Sequence, residues 1–327
     1  MLPCNHNAKK SSPTKSATYA DSPFRLAEFS CRADQLPNRD IHWKPPQIGA
    51  CNVHFITANS SPLFAMRLGH LRLPGLTPYH HAARIQEALI QKHFLAKDLW
   101  RRAKLSPASN SPTIESPDAI VITAEFKPVY TFGRRQLNTV SEEQRRFLED
   151  NGKAAVLESQ RGGQVTYHGP GQLVAYPIIN LRRHKITPRD YVRLLEETVV
   201  GVCTSFGVPA VETTEDPGVW VKGGQHKICA LGVRIRRGIT GHGIGLNVTD
   251  REESLSWGFG RIVACGLEGK GVTWLTAERA KGSDSLDVEP VASEFVKALA
   301  TRLGGIEEIY QASEEEAQKQ PDNFDIA

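Results

Sequence analysis

The sequence predicts an α+β fold, a mixed β-sheet flanked by helices, on three observations. Helix-like and strand-like stretches follow one another without a regular βαβ repeat. Several strand-like stretches are close enough in sequence to be linked as hairpins. No internal repeat is present, so a solenoid or propeller is excluded. With 327 residues and a hydrophobic fraction of 40%, the chain suits one sizeable domain with appendages.

Residues 1–65 show no sustained periodicity and are sprinkled with Pro, Ser and Asn, so they read as an extension. Regular order is expected from Met66. From Tyr79 to Lys104 the apolar residues Ala82, Ile85, Leu89, Ala96 and Leu99 recur at helical spacing and define one buried face. A Ser/Pro stretch, SPASNSPTIESPD, follows as a loop, then AIVIT and VYTFGRR as strands. Ser141 with Gln144 resembles a capping box that opens the helix SEEQRRFLED, and Gly152 is placed to close it. AAVLES leads as a strand into a Gly-rich stretch, and LVAYPIINL leaves it as another. Thr187 as N-cap and Pro188 at the first helical position open the next helix. Its buried face is Tyr191, Leu194, Leu195, Val199, Val202 and Phe206, ending at Gly207. GVWV, KICALGVRIR and GIGLNV read as strands, and Val291, Phe295 and Leu299 mark a late helix. The domain is bounded at 66–304, and 305–327 reads as a polar tail.

Composition narrows the function classes. The net charge of +4 is too mild for a dedicated nucleic-acid binder. No stretch approaches the roughly 20 apolar residues a membrane span requires. The six cysteines contain no CxxC pair, which argues against a structural zinc site and for a reducing compartment. The first twenty residues carry three lysines and no acidic residue, as an organellar transit peptide would, but lack arginine and an amphipathic pattern. A nonspecific N-terminus, or a start codon assigned upstream of Met66, is the alternative.

The most unusual segment is Arg161-Gly162-Gly163-Gln164-Val165-Thr166-Tyr167-His168-Gly169-Pro170-Gly171-Gln172. Glycines let the backbone approach a ligand closely, but the pattern is neither a dinucleotide fingerprint nor a phosphate loop. A tight structural turn is the competing reading. Lys227, in GGQHKICALG, would ordinarily be a solvated charge. Its proposed partner is Cys265, whose flanking Gly266, Gly269 and Gly271 suggest an accessible loop. A nearby ammonium favours thiolate over thiol. His168 and His242 lack a third ligand at metal spacing, so no metal is expected and both read as loop-stabilising or substrate-facing. Arg182, Arg183, His184, Lys185 and Arg189, with Arg234, Arg236 and Arg237, form either a solvated face or a surface that steers an acidic protein.

Taken together, RGGQVTYHGPGQ, KICALGVRIRRG, HGIGLNV and ACG resemble the lipoyl(octanoyl) transferase family in order and spacing over roughly 66–280. The resemblance implies the fold of the biotin and lipoate protein ligase catalytic domains. It implies that Cys265 is the acyl-accepting nucleophile and Lys227 the residue that lowers its pKa. Arg161, Gly162, Gly163, Gln164, Val165, Thr166, Tyr167 and His168 would line the acyl-substrate site, with Ala230, Leu231, Gly232, Gly243, Ile244 and Gly245. Ala264 departs from the proline usual before the cysteine, which removes no reactive group. The implied reaction moves octanoyl from octanoyl-acyl carrier protein to a lysine of lipoyl domains, those of 2-oxoacid dehydrogenase complexes and the glycine cleavage H protein. It uses no cofactor, and a mitochondrial location is expected. An ATP-dependent lipoate ligase, a thioester hydrolase and a non-catalytic acyl-binding adaptor are the rival readings.

Overall fold

The run LVAYPII is apolar throughout because its strand is buried on both faces, and the architecture follows from that burial. In a computed structural model, which describes residues 66–105, 116–263 and 269–319, this strand is β6 (Gln172–Ile178). Leu173 and Ala175 point into one core, Val174 and Tyr176 into another. The two-residue side-chain period divides the strand between them.

The main sheet runs β12 (Ile306–Gln311), β1 (Met66–Thr77), β2 (Ala119–Phe126), β6, β10 (Ile239–Asn247), β9 (His226–Arg236), β8 (Val219–Val221), β7 (Val211–Thr213). The short β11 (Gly271–Val272) also pairs with β9. A second sheet orders β4 (Ala155–Glu158), β3 (Val129–Phe132) and β5 (Thr166–His168). Pairing is mixed: β1 is parallel to β2 and β12, whereas β6, β10 and β9 are antiparallel. The expected α+β class with a mixed sheet is therefore observed.

One face of the main sheet is covered by α3 (Pro188–Ser205) and α6 (Val288–Leu303), through Tyr191, Leu195, Val199, Val291, Phe295 and Leu299. The other is covered by α1 (Tyr79–Leu105), through Ala82, Ile85, Leu89 and Phe94. Ala96 and Leu99, expected on that buried face, are only half-buried, because the last turns of α1 run beyond the core. A third core joins the small sheet to α2 (Glu142–Glu149) and α4 (Ser254–Phe259), through Tyr130, Leu148, Tyr167 and Phe259. The remaining helices are α5 (Leu275–Glu278) and α7 (Glu314–Gln318). Among the described residues no helix is long and apolar enough to cross a membrane.

Two predicted N-caps form, and one predicted helix end does not. Asp190 N donates to Thr187 Oγ1 at 3.2 Å, with Pro188 in the first turn of α3. Gln144 N donates to Ser141 Oγ at 3.0 Å. Gly152 does not end α2; Asp150 does, at φ 44°, its N–H bonded to Arg146 O. Aspartate tolerates the left-handed region, so the exit comes two residues early.

Residues 306–319, expected as part of a polar tail, instead form β12 and α7. The strand sits at the sheet edge, where Ile306 and Tyr310 are half-buried and the glutamates stay in water. Only Ala317 of α7 is buried, and Ser313 and Glu316 form a reciprocal capping box. Single buried alanines in an acidic stretch leave almost no hydrophobic period to read.

Candidate functional site

The Gly-rich stretch is held as a loop against the edge of β9, and the Arg161 side chain ties it to β3 and to itself. Gly162 N donates to Val233 O at 3.0 Å. Arg161 is 6% exposed. Its Nε donates to Thr131 Oγ1 at 3.1 Å, and its Nη1 to Gly162 O at 2.9 Å and Gln164 O at 2.8 Å. Its Nη2 reaches Thr131 O and Oγ1. Charge-assisted bonds of this kind are roughly twice as strong as neutral ones. Gly232 makes the close approach possible: a Cβ there would lie 3.0 Å from Arg161 Cδ and 3.2 Å from Gly162 O.

The fourteen residues expected around an acyl substrate do not all share one face. Tyr167 is fully buried in the third core, its ring 5.1 Å from Tyr130 and its hydroxyl 2.9 Å from Ser254 Oγ. Val165 joins the same core. Ile244 and Leu231, partners across the β9–β10 ladder, pack with α3 and α6 on the far face of the main sheet. His168, next to Tyr167 on β5, points the opposite way and meets Phe126 edge-on at 5.8 Å. Arg161, Gly162, His168, Gly232 and Gly245 are thus brought together. Gly163, Gln164 and Thr166 connect them, and Ala230 and Gly243 pair with Gly245 and Gly232. The period-2 rule that sends Tyr167 and His168 apart was available from the sequence once β5 was recognised. Three strand residues inside a Gly-rich stretch gave too short a signal.

A hydrogen-bond chain runs from His168 across two strands. His168 Nδ1 lies 2.6 Å from Gln172 Oε1, Gln172 Nε2 donates to Asn247 Oδ1 at 2.8 Å, and Asn247 Nδ2 donates to Thr273 O at 2.9 Å. Thr273 N in turn donates to Lys227 O at 3.0 Å. Burial lowers the His168 pKa to about 4, against a rise from its Gln172 bond. His242 lies close by, with positive φ (54°), its ring 5.4 Å from Tyr176 and its N–H bonded to Gln86 Oε1. Burial first, then the charges of Arg161 and Arg234, lower its pKa to about 3. Both imidazoles are neutral at physiological pH. Gln172 closes the segment singled out from sequence but was not placed in the site, and Asn247 was not singled out; the available signal was a buried amide in an otherwise apolar strand.

Lys227 is 5% exposed and belongs to a second cluster. Its Nζ donates to Pro217 O at 3.1 Å and stands 4.4 Å from the centre of the Trp220 ring. Lys270 Nζ approaches the same ring at 4.5 Å and pairs with Asp216 at 2.8 Å. Glu196, raised in pKa by burial and drawn back by the Gly218 N–H and by charges including Lys227, lies on the α3 side. A buried ammonium with a carbonyl and an aromatic face for partners differs from the solvated lysine that sequence alone would favour. Cys265 lies outside the described residues. The described chain resumes at Gly269, and β11 then pairs Gly271 with His226 and Val272 with Lys227.

Residues 106–300 match the family model of the lipoyl protein ligase A/B catalytic domain. The chain is 42% identical over 214 residues to the Danio rerio octanoyl-[acyl-carrier-protein]:protein N-octanoyltransferase LIPT2, mitochondrial, covering 65% of this chain and 83% of that protein. The chain belongs to the lipoyl(octanoyl) transferase family. An octanoyltransferase of Bacteroides fragilis is another relative, 40% identical over 58% of this chain and 85% of its own length. The family consists of acyltransferase enzymes, and this chain is one of them. Its fold is also that of a bi-partite lipoate protein ligase from Thermoplasma acidophilum. That protein matches with TM-score 0.51 and 15% identity over 77% of this chain and 91% of the other.

Proposed function

We propose that this octanoyltransferase moves an octanoyl group from octanoyl-acyl carrier protein to a lysine of lipoyl domains, through an acyl-enzyme at Cys265. The observation that carries the reading is the similarity, over 83% of its length, to a relative named for that reaction. The acceptors would be lipoyl domains of 2-oxoacid dehydrogenase complexes and the glycine cleavage H protein. A mitochondrial location is supported by the relatives in Danio rerio and Xenopus tropicalis, both named as mitochondrial.

In the proposed mechanism Cys265 thiolate attacks the thioester carbonyl, and the tetrahedral intermediate collapses to expel the carrier thiolate. The Lys227 ammonium supplies the proton that thiolate needs. The acceptor lysine amine then attacks octanoyl-Cys265; its surplus proton passes to neutral Lys227 and the cysteine leaves as thiolate. Both residues end as they began. Thioester-to-amide transfer runs downhill, so no ATP is required. At about 0.8 kcal/mol per buried CH₂, the tail of the substrate contributes around 5 kcal/mol of binding.

Intact-mass spectrometry tests the reading directly. Octanoyl-acyl carrier protein without ATP should give an octanoyl adduct on Cys265, which an apo lipoyl domain then removes. Cys265→Ala should lose both steps while remaining folded. Lys227→Ala should form the adduct only at higher pH. Transfer that requires ATP and free octanoate would replace this reading with a ligase.

A further inference from the structure

The hydrogen-bond chain beginning at His168 has a fixed direction, because it ends on a backbone carbonyl. Thr273 O can only accept, so the Asn247 atom 2.9 Å away is the amide nitrogen. Asn247 therefore presents its oxygen to Gln172, whose nitrogen must donate across the 2.8 Å contact. That leaves Gln172 Oε1 facing His168 Nδ1 at 2.6 Å, and an oxygen there demands an N–H. The neutral ring is held as its Nδ1–H tautomer with a lone pair on Nε2. Among the described residues nothing donates to Nε2. The neighbouring Cε1 lies against Gly245, where a Cβ would stand 3.5 Å from it and 3.0 Å from Gln172 Oε1.

We infer that His168 is a hydrogen-bond acceptor for a substrate N–H, and that Gln172 and Asn247 are positioning residues that fix its tautomer. This rests on the acyl-transfer reading above. The reactants offer two N–H donors of the right kind, an amide of the carrier's pantetheine arm and the amine of the acceptor lysine. His168 accepts the bond without taking the proton; its low basicity suits it to orient a donor and not to deprotonate one. The charge of Arg161 disfavours a charged ring, while Phe126 and Gly245 flank it with apolar surface.

In full-length protein labelled with ¹⁵N-histidine, the resonances lost in His168→Phe belong to His168. They should show a protonated Nδ1 and an unprotonated Nε2 at both pH 7 and pH 5.5. An Nε2–H tautomer, or a charged ring at pH 5.5, overturns the inference. Single-turnover mass spectrometry supplies the second arm. His168→Phe should slow acylation or transfer by roughly tenfold to a hundredfold, the cost of an unmade bond to a buried group. His168→Gln, which places an oxygen near the Nε2 position, should recover most of that rate. Loss confined to acylation identifies the pantetheine amide, and loss confined to transfer the lysine amine. Unchanged rates in His168→Phe, or equal losses in both variants, overturn the role. If wild-type protein forms no octanoyl adduct, the acyl-transfer reading fails, and the tautomer measurement still decides the ring's state.

Discussion

Three of the four buried imidazoles among the described residues, His93, His168 and His242, are held far below their ordinary pKa and make the protein sensitive to mild acid. Burial, followed by the charges of Lys97 and Arg183, lowers the pKa of His93 to about 4. His168 is lowered to about 4 and His242 to about 3, from an ordinary 6.5. Above pH 6.5 these rings are neutral in both folded and unfolded chains and add no pH dependence. As pH falls from 6.5 towards 4 the unfolded chain takes up protons that the folded one refuses, so stability is lost. Each ring removes on the order of 1 kcal/mol per pH unit over that window. Denaturant unfolding from pH 7 to pH 4.5 should therefore show a steadily falling stability, with a shallower slope in His93→Gln. An identical slope in that variant would mean His93 is charged in the folded protein. Little of this was legible in the sequence. A histidine on a helix face gives no sign of whether packing will exclude water from it. The glycines of the candidate site were easier to pick out as a cluster, but only the structure assigns Gly232 and Gly245 to close approaches.

At the scale of elements, legibility followed hydrophobic period and capping chemistry. The helix α3 was readable at both ends because Thr187, Pro188 and Gly207 each have a specific backbone role, and its apolar stripe is regular. Thr187→Ala should cost about 1 kcal/mol of stability by denaturant unfolding, and Thr187→Ser much less. A full loss in Thr187→Ser would point to the methyl group's packing in place of the cap. The long helix α1 was readable in existence but not in burial, because the same spacing continues past the end of the core. Ile85→Ala, at 1% exposure, should cost about 2–5 kcal/mol. Leu99→Ala, half-buried on the overhanging turns, should cost clearly less. β12 and α7 were missed because edge pairing with β1 is a backbone interaction, and it asks little of the side chains. The role proposed for Cys265 rests on sequence resemblance, and the burial of Lys227 is a feature that sequence could not foretell.

Over the whole molecule, the net charge of +4 matters less than where the basic residues gather. Lys97, Arg101, Arg182 and Arg237 line a cavity of about 580 Å³ beside the exposed Trp100, near the turn between β9 and β10. Asp98 offsets part of this charge by pairing with Arg237 and Arg101, and Glu87 pairs with Arg234 and Arg236. Lys227 lies at the opposite end of β9, nine residues from Arg236. At about 3.3 Å per residue that is roughly 30 Å, well beyond a hydrogen bond and beyond a Debye length at physiological salt. The basic end is thus remote from Lys227, and its charge is suited to attracting an acidic carrier protein during approach. Steering of this kind raises the association rate and leaves the chemical step alone. Arg101→Glu combined with Arg182→Glu, both at exposed positions, should lower kcat/KM for octanoyl-acyl carrier protein severalfold at low salt and leave kcat unchanged. The difference should vanish at high ionic strength, because screening removes the steering from the wild type as well. Equal kcat/KM for the two proteins at low salt would return these arginines to a merely solvated face. A fall in kcat that persists in salt would instead bring the basic end into the docked complex.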